Sequence, residues 1–238
     1  MSKVLCIIPA RGGSKRIPHK NIKLFRGKPI IAYAIEAAKK SGIADEIMVS
    51  TDDVEIAEVA MQYGASYPFK RSDLTANDTA GVAEVLVEVV EEYAKRGQHF
   101  DYVLCVFAIC PLIKAENIAK AYNMLQSNPQ AESVTTIEAY SYPPQRCLMI
   151  NDEGFAVMPH PEYYLWRSQD LPKLYHDSCQ FTLFRTNALL RDKMMYTQHT
   201  LPIILTELES QDIDTFEDWA LSEMKYDLMN RRNEVKSN

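Results

Sequence analysis

The chain has 238 residues, 47% hydrophobic and 24% charged, which is enough apolar surface for a full core and the composition of an ordinary globular domain. Its formal charge of -6 argues against a general nucleic-acid surface, because proteins with such surfaces usually carry net positive charge to replace the counterions around phosphates. No low-complexity run or fixed-period repeat interrupts it, and disorder is expected only in the tail from Asn230.

Residues 4–8 form a continuous apolar run of strand length, far too short to span a bilayer or to serve as a signal core. No membrane partner is expected, and the cytoplasm is the expected location. Residues 30–41 read as a helix ended by Gly42, and 46–50 as a second strand. Asp52 then offers a helix cap with Glu55 three residues on, before apolar positions at helical spacing as far as Gly64. A helix over 79–96, a strand over 102–107 and a helix over 115–127 follow. Strands alternating with helices of this length predict an α/β fold, a mostly parallel sheet covered on both faces, with ligands outside the strands' C-terminal ends.

Between 140 and 184 the pattern changes to short apolar pieces, prolines, aromatics and an Asn151-Asp152-Glu153-Gly154 turn. It predicts an antiparallel insertion within a single domain spanning 1–238, capping the active site, a partner subunit or both. A homodimer is expected on that ground. The sheet resumes over 201–205, and a last helix begins near Thr215. The five cysteines show neither a C-x-x-C pair nor a histidine at zinc spacing, so they are expected to be reduced and mostly buried.

The segment after the first strand carries the densest chemical signal. Arg11, Lys15, Arg16 and Lys20 crowd into ten residues of an acidic chain, and Gly12-Gly13 lets the backbone approach a ligand closely. A solvated basic loop is the alternative, but paired glycines at a strand's C-terminal end favour a polyphosphate site. Neither G-x-x-x-x-G-K-[ST] nor G-x-G-x-x-G is present, which leaves P-loop kinases and dinucleotide enzymes unsupported.

Asp212 and Asp214 are two apart, so on an extended segment both carboxylates share a face while Ile213 turns inward. That suits Mg²⁺, which takes one or two carboxylates together with phosphate oxygens and water. A turn or helix cap before Thr215 is the competing reading. The adjacent Asp52 and Asp53 do not share a face and are assigned to capping.

Ala10-Arg11-Gly12-Gly13-Ser14-Lys15-Arg16-Ile17-Pro18-His19-Lys20-Asn21 resembles the signature of the CMP-sialic acid synthetases and their relatives, in the form of the CMP-nonulosonic acid branch rather than the CMP-Kdo synthetases. The likeness continues through Ser50-Thr51-Asp52-Asp53, Arg71-Ser72-Asp73-Leu74, Asp78-Thr79-Ala80, Arg167-Ser168-Gln169-Asp170-Leu171 and Gln211-Asp212-Ile213-Asp214-Thr215, essentially the full chain. It implies a Rossmann-like three-layer nucleotidyltransferase fold, CTP and an acidic nine-carbon sugar as substrates, and Mg²⁺ on Asp212 and Asp214. It also implies phosphate contacts from Arg11, Gly12, Ser14, Lys15, Lys20 and Asn21, and places Pro9, Ala10, Arg71 and Ala80 near the cytosine. Arg11, Lys15, Lys20 and Asp214 become the catalytic set.

Arg167 and Gln169 suit a sugar acid, since a guanidinium holds a carboxylate through two parallel bonds and an amide reads hydroxyl or acyl groups. An arginine in a dimer salt bridge is the alternative. Downstream, His176-Asp177-x-x-Gln180-Phe181 resembles the pseudaminic acid enzymes rather than those for N-acetylneuraminate, which adds His176 and Gln180 to the sugar pocket. N-acetylneuraminate and legionaminic acid are the alternative sugars. Two departures from the family pattern stand out: Ala108-Ile109-Cys110-Pro111 replaces a hydroxyl-bearing Pro-Thr-Ser/Ala-Pro segment, and Gly81-Val82 stands where relatives have hydroxyls. They leave a non-catalytic nucleotide-binding module as the reading from a different class.

Overall fold

The computed structural model describes residues 2–237, with side chains to residue 231, so the tail singled out from Asn230 lies almost wholly outside the fully described part. The first strand, β1 (Val4–Pro9), is followed by the small ladder β2 (Leu24–Phe25) and β3 (Lys28–Pro29), then α1 (Ile30–Ser41), β4 (Glu46–Ser50) and α2 (Val54–Gln62). Next come α3 (Val82–Lys95), β5 (Tyr102–Val106), α4 (Ala115–Ser127) and β6 (Ser133–Ala139). The hairpin β7 (Met149–Ile150) and β8 (Ala156–Val157) precedes β9 (Tyr175–Arg185), α5 (Thr186–Asp192), β10 (Thr200–Leu205) and α6 (Phe216–Ser237).

Six strands form the central sheet in the order β10-β6-β9-β5-β1-β4. β9 runs antiparallel to both its neighbours, while the other pairs are parallel. Alternation along β1 sorts its side chains between two cores: Val4, Cys6 and Ile8 pack with α1, α2 and α4, and Leu5 and Ile7 with α3 and α5. This produces the three layers expected from the alternating strands and helices.

The expected elements and the structure differ at several points. The 140–184 insertion is shorter: its last ten residues belong to β9, which is antiparallel as expected but lies inside the central sheet, leaving 140–174 as the excursion. β6 carries no strong apolar signal because Ser133, Thr135 and Thr136 are buried in it, their hydroxyls satisfied by partners such as Thr182 Oγ1, 2.8 Å from Thr135 Oγ1. α3 starts at Val82 rather than Thr79, since Asn77 Oδ1 accepts the N–H groups of Thr79 and Ala80, each at 2.8 Å, and holds them in a turn.

The helix cap shifts by one residue as well. Asp53, not Asp52, caps α2, with Oδ1 accepting the N–H groups of Glu55 at 2.8 Å and Ile56 at 3.2 Å. No described helix is long and apolar enough to cross a membrane. Cys6, Cys105 and Cys110 are buried, Cys179 is half-buried and Cys147 exposed, all as free thiols; desolvation pushes the three buried thiols up.

Candidate active site

Five parallel strands end on one edge of the sheet, and β9 begins there, so the loops after β1, β4, β5 and β10 converge. A small third core ties the loops after β1, β5 and β10 together. Ile17 of the basic loop and Ile213 between the aspartates are both buried with Phe25, Ile30, Tyr33 and Trp219, and Ile109 after β5 packs against the same cluster. Phe25 makes edge-to-face contacts with Tyr33 and Trp219 at 5.5 and 5.6 Å, which gives the anchor fixed geometry.

The basic loop is set by backbone contacts before any ligand is considered. Ala10 N–H continues the sheet by donating to Ser50 O at 2.9 Å. Gly12 N–H donates to Asp52 Oδ1 at 3.0 Å, a role for Asp52 at the loop rather than the helix cap. A Cβ on Gly12 would lie 2.7 Å from Asp53 Oδ2 and 2.9 Å from Asp53 Cβ, so only glycine allows this approach. The buried Asn21 closes the loop, its Nδ2 donating to Arg11 O at 2.8 Å.

The residues assigned to the nucleotide, Ala10 and Gly12 excepted, line one cavity of about 640 Å³. Its far wall is Phe107, Ala108 and Ile109. The departure from the family pattern therefore faces the cavity as apolar surface, with the Cys110 thiol turned back to donate to Phe107 O at 2.8 Å. Arg71 is buried and donates to Thr75, while Glu88 accepts from Ser72 N–H and Oγ, each at 2.9 Å, and pins that loop. Burial pulls the Arg71 guanidinium below its ordinary range, with Asp52 and Glu88 opposing.

Beside the cavity, Lys20 Nζ donates to Ile213 O at 2.7 Å and approaches Asp214 Oδ1 to 3.4 Å. Arg16, in the basic loop but unassigned from sequence, pairs with the same oxygen at 2.8 Å. The helix cap itself falls to Thr215 and Asp218, which close the first turn of α6: Asp218 Oδ2 accepts Thr215 N–H at 2.7 Å. Burial first, then Asp214, pushes the Asp212 carboxyl above its usual range, although the residue itself opens to solvent. Two like charges arranged this way gain from a shared cation. Among the described residues no group of three or more His, Cys, Asp or Glu is arranged to hold a metal; Asp212 and Asp214 by themselves offer two carboxylates, the kind of oxygen donor Mg²⁺ takes beside phosphate oxygens and water.

The residues assigned to the sugar are scattered. Arg167 is exposed and forks onto Asp170, with bonds of 2.7 and 3.1 Å, in the 140–174 excursion. Gln169 lines a separate cleft of about 360 Å³ with Tyr140 and Leu171. The His176 ring packs against Tyr140 with centroids 4.8 Å apart and planes tilted by 57°, and its Nδ1 lies 2.8 Å from Asp177 O. Gln180 is buried, with Nε2 donating to Glu209 O and Oε1 unpartnered. Sequence reasoning named Arg16 only within the basic cluster, Asp78 only within a family segment and Asp52 only as a helix cap, and gave none of them a role in the site.

A mostly parallel sheet whose C-terminal edge joins a cationic glycine loop to an acid pair is the frame of a nucleotidyltransferase. The chain belongs to the cytidylyltransferase family, whose model matches residues 5–233. It is 39% identical to the pseudaminic acid cytidylyltransferase of Campylobacter jejuni over 94% of this chain and 96% of that one. It is 36% identical to the CMP-N,N'-diacetyllegionaminic acid synthase of Legionella pneumophila over 95% and 97%. The fold matches that of a CMP:2-keto-3-deoxy-manno-octonic acid synthetase complexed with CTP, with a TM-score of 0.68 at 20% identity, covering 97% of this chain and all of the other.

Proposed function

We propose that the protein transfers CMP from CTP to the anomeric hydroxyl of pseudaminic acid and releases pyrophosphate. The observation that carries this reading is the meeting of Lys20 with Asp214 beside a cavity lined by Arg11, Lys15 and Arg71. The sugar assignment is supported by the likeness to the Campylobacter enzyme.

In the reaction the sugar oxygen bonds to the α-phosphorus as the bond from that phosphorus to the bridging oxygen breaks, and the hydroxyl proton is lost to solvent. Displacement of this kind depends on alignment and charge stabilisation. Arg11 and Lys15 offer cations to the triphosphate, and Lys20 offers a third beside the acid pair. Arg71 and the Ala80 backbone frame the base. Asp212 and Asp214 would hold Mg²⁺, which when bound supplies positive charge to the reacting phosphate. Arg167 would reach a sugar carboxylate only by leaving Asp170.

We further propose a cytoplasmic homodimer that binds no nucleic acid. The excursion supports the dimer, since Leu148, Ile150, Phe155, Tyr164, Leu165 and Trp166 are all exposed on it. Pyrophosphate release is to be measured with CTP and pseudaminic acid, N-acetylneuraminate and legionaminic acid side by side. Preference for pseudaminic acid is expected; preference for either other sugar overturns the assignment, and CTP binding with no sugar-dependent release indicates a regulatory module.

A further inference from the structure

Asp78 has no part in the scheme above, yet it holds two of the phosphate-loop cations at once. Arg11 Nη1 bonds its Oδ1, and Lys15 Nζ lies 2.5 Å from its Oδ2. Arg11 also donates to Asn77 O at 3.4 Å. All four residues line the 640 Å³ cavity, so one carboxylate spans the cations there as two phosphate oxygens would.

This is not a buried structural ion pair. The side chains of Arg11, Lys15 and Asp78 are 38%, 77% and 52% exposed, so water and salt weaken the contacts and an incoming anion can exchange for them. The segment bearing Asp78 is tethered independently of it, by Glu88 on Ser72 and by Asn77 on Thr79 and Ala80. Removing the carboxylate therefore leaves its loop in place. Lys15, then Arg11, holds the Asp78 carboxyl below its usual range, so it stays charged around neutral pH.

We propose that Asp78 is a built-in competitor of the triphosphate for Arg11 and Lys15, a positioning residue that yields the cations to phosphate and recaptures them as pyrophosphate leaves. The proposal rests on the nucleotide reading of the cavity. Its consequence is a trade: Asp78 loosens nucleotide binding and speeds release of the anionic product.

The test titrates wild type and Asp78→Asn by calorimetry with inorganic tripolyphosphate, CTP and cytidine, without added metal. Tripolyphosphate and CTP are expected to bind the variant about threefold more tightly or better, with cytidine unchanged. In turnover, KM for CTP should fall and inhibition by pyrophosphate strengthen together, whereas a merely structural role would not tighten both. Unchanged, weakened or undetectable tripolyphosphate binding by the variant overturns the proposal, and Asp78→Ser must agree with Asp78→Asn. Failure of the cytidylyl-transfer reading shows separately as absent turnover, with the tripolyphosphate comparison still legible.

Discussion

Lys20 Nζ stands 3.4 Å from Asp214 Oδ1, so residues 194 apart in sequence form one wall of the cleft. The contact is enforced by burial beneath it, where Ile17 and Ile213 share a core with Phe25 and Trp219. The cationic loop and the acid pair are thus fixed relative to each other before substrate arrives, which is what electrostatic preorganisation demands.

Lys20→Met should lower kcat/KM for CTP by roughly 10²–10³. Pyrophosphate release measures the loss. Unchanged circular dichroism and a urea midpoint close to wild type are expected beside it.

Chelation should abolish turnover and added Mg²⁺ restore it, while Asp212→Asn should raise the Mg²⁺ concentration needed for half-maximal rate. A magnesium titration of both proteins at saturating CTP checks this.

Gly12→Ala forces a methyl group against the Asp53 carboxylate. Displacing that cap from α2 should cost about 1 kcal/mol of stability and weaken CTP binding, because the loop backbone moves with it. Urea unfolding and CTP titration read the two effects, and Gly13→Ala, whose Cβ meets nothing within 4 Å, should show much less of either.

The parts of this arrangement legible in sequence are those set by local rules. The spans of α1, α4 and β4 follow from apolar periodicity ended by turn residues. The basic loop follows from charge density beside paired glycines, and Ile213 does turn into the core between two outward aspartates. What depended on tertiary partners was less visible. β6 hides behind buried threonines that pair with β9, and Asp52 reads as a cap until Gly12 is found against it. Arg167 reads as a carboxylate clamp, and it is one, but its carboxylate here is Asp170, three residues along the chain.

Glu209 provides a pH test of the loop before the acid pair. Burial works to raise its carboxyl, but Lys114 and Thr206 outweigh it and hold it at about 2, below the ordinary 4.5. A depressed folded value means that the stabilisation is fully present above the ordinary value and is lost as pH falls through it toward the folded one. Glu209→Gln should therefore lie below wild type in urea midpoint at pH 6, and the gap should close between pH 4.5 and pH 2.

The most direct test is a crystal structure of the CTP complex with Mn²⁺, using anomalous scattering to locate the ion. An ion bound by Asp212 or Asp214 and by the nucleotide phosphates, with Arg11, Lys15 and Lys20 on the triphosphate, is the predicted result. An ion or a triphosphate seated away from these residues would contradict the account.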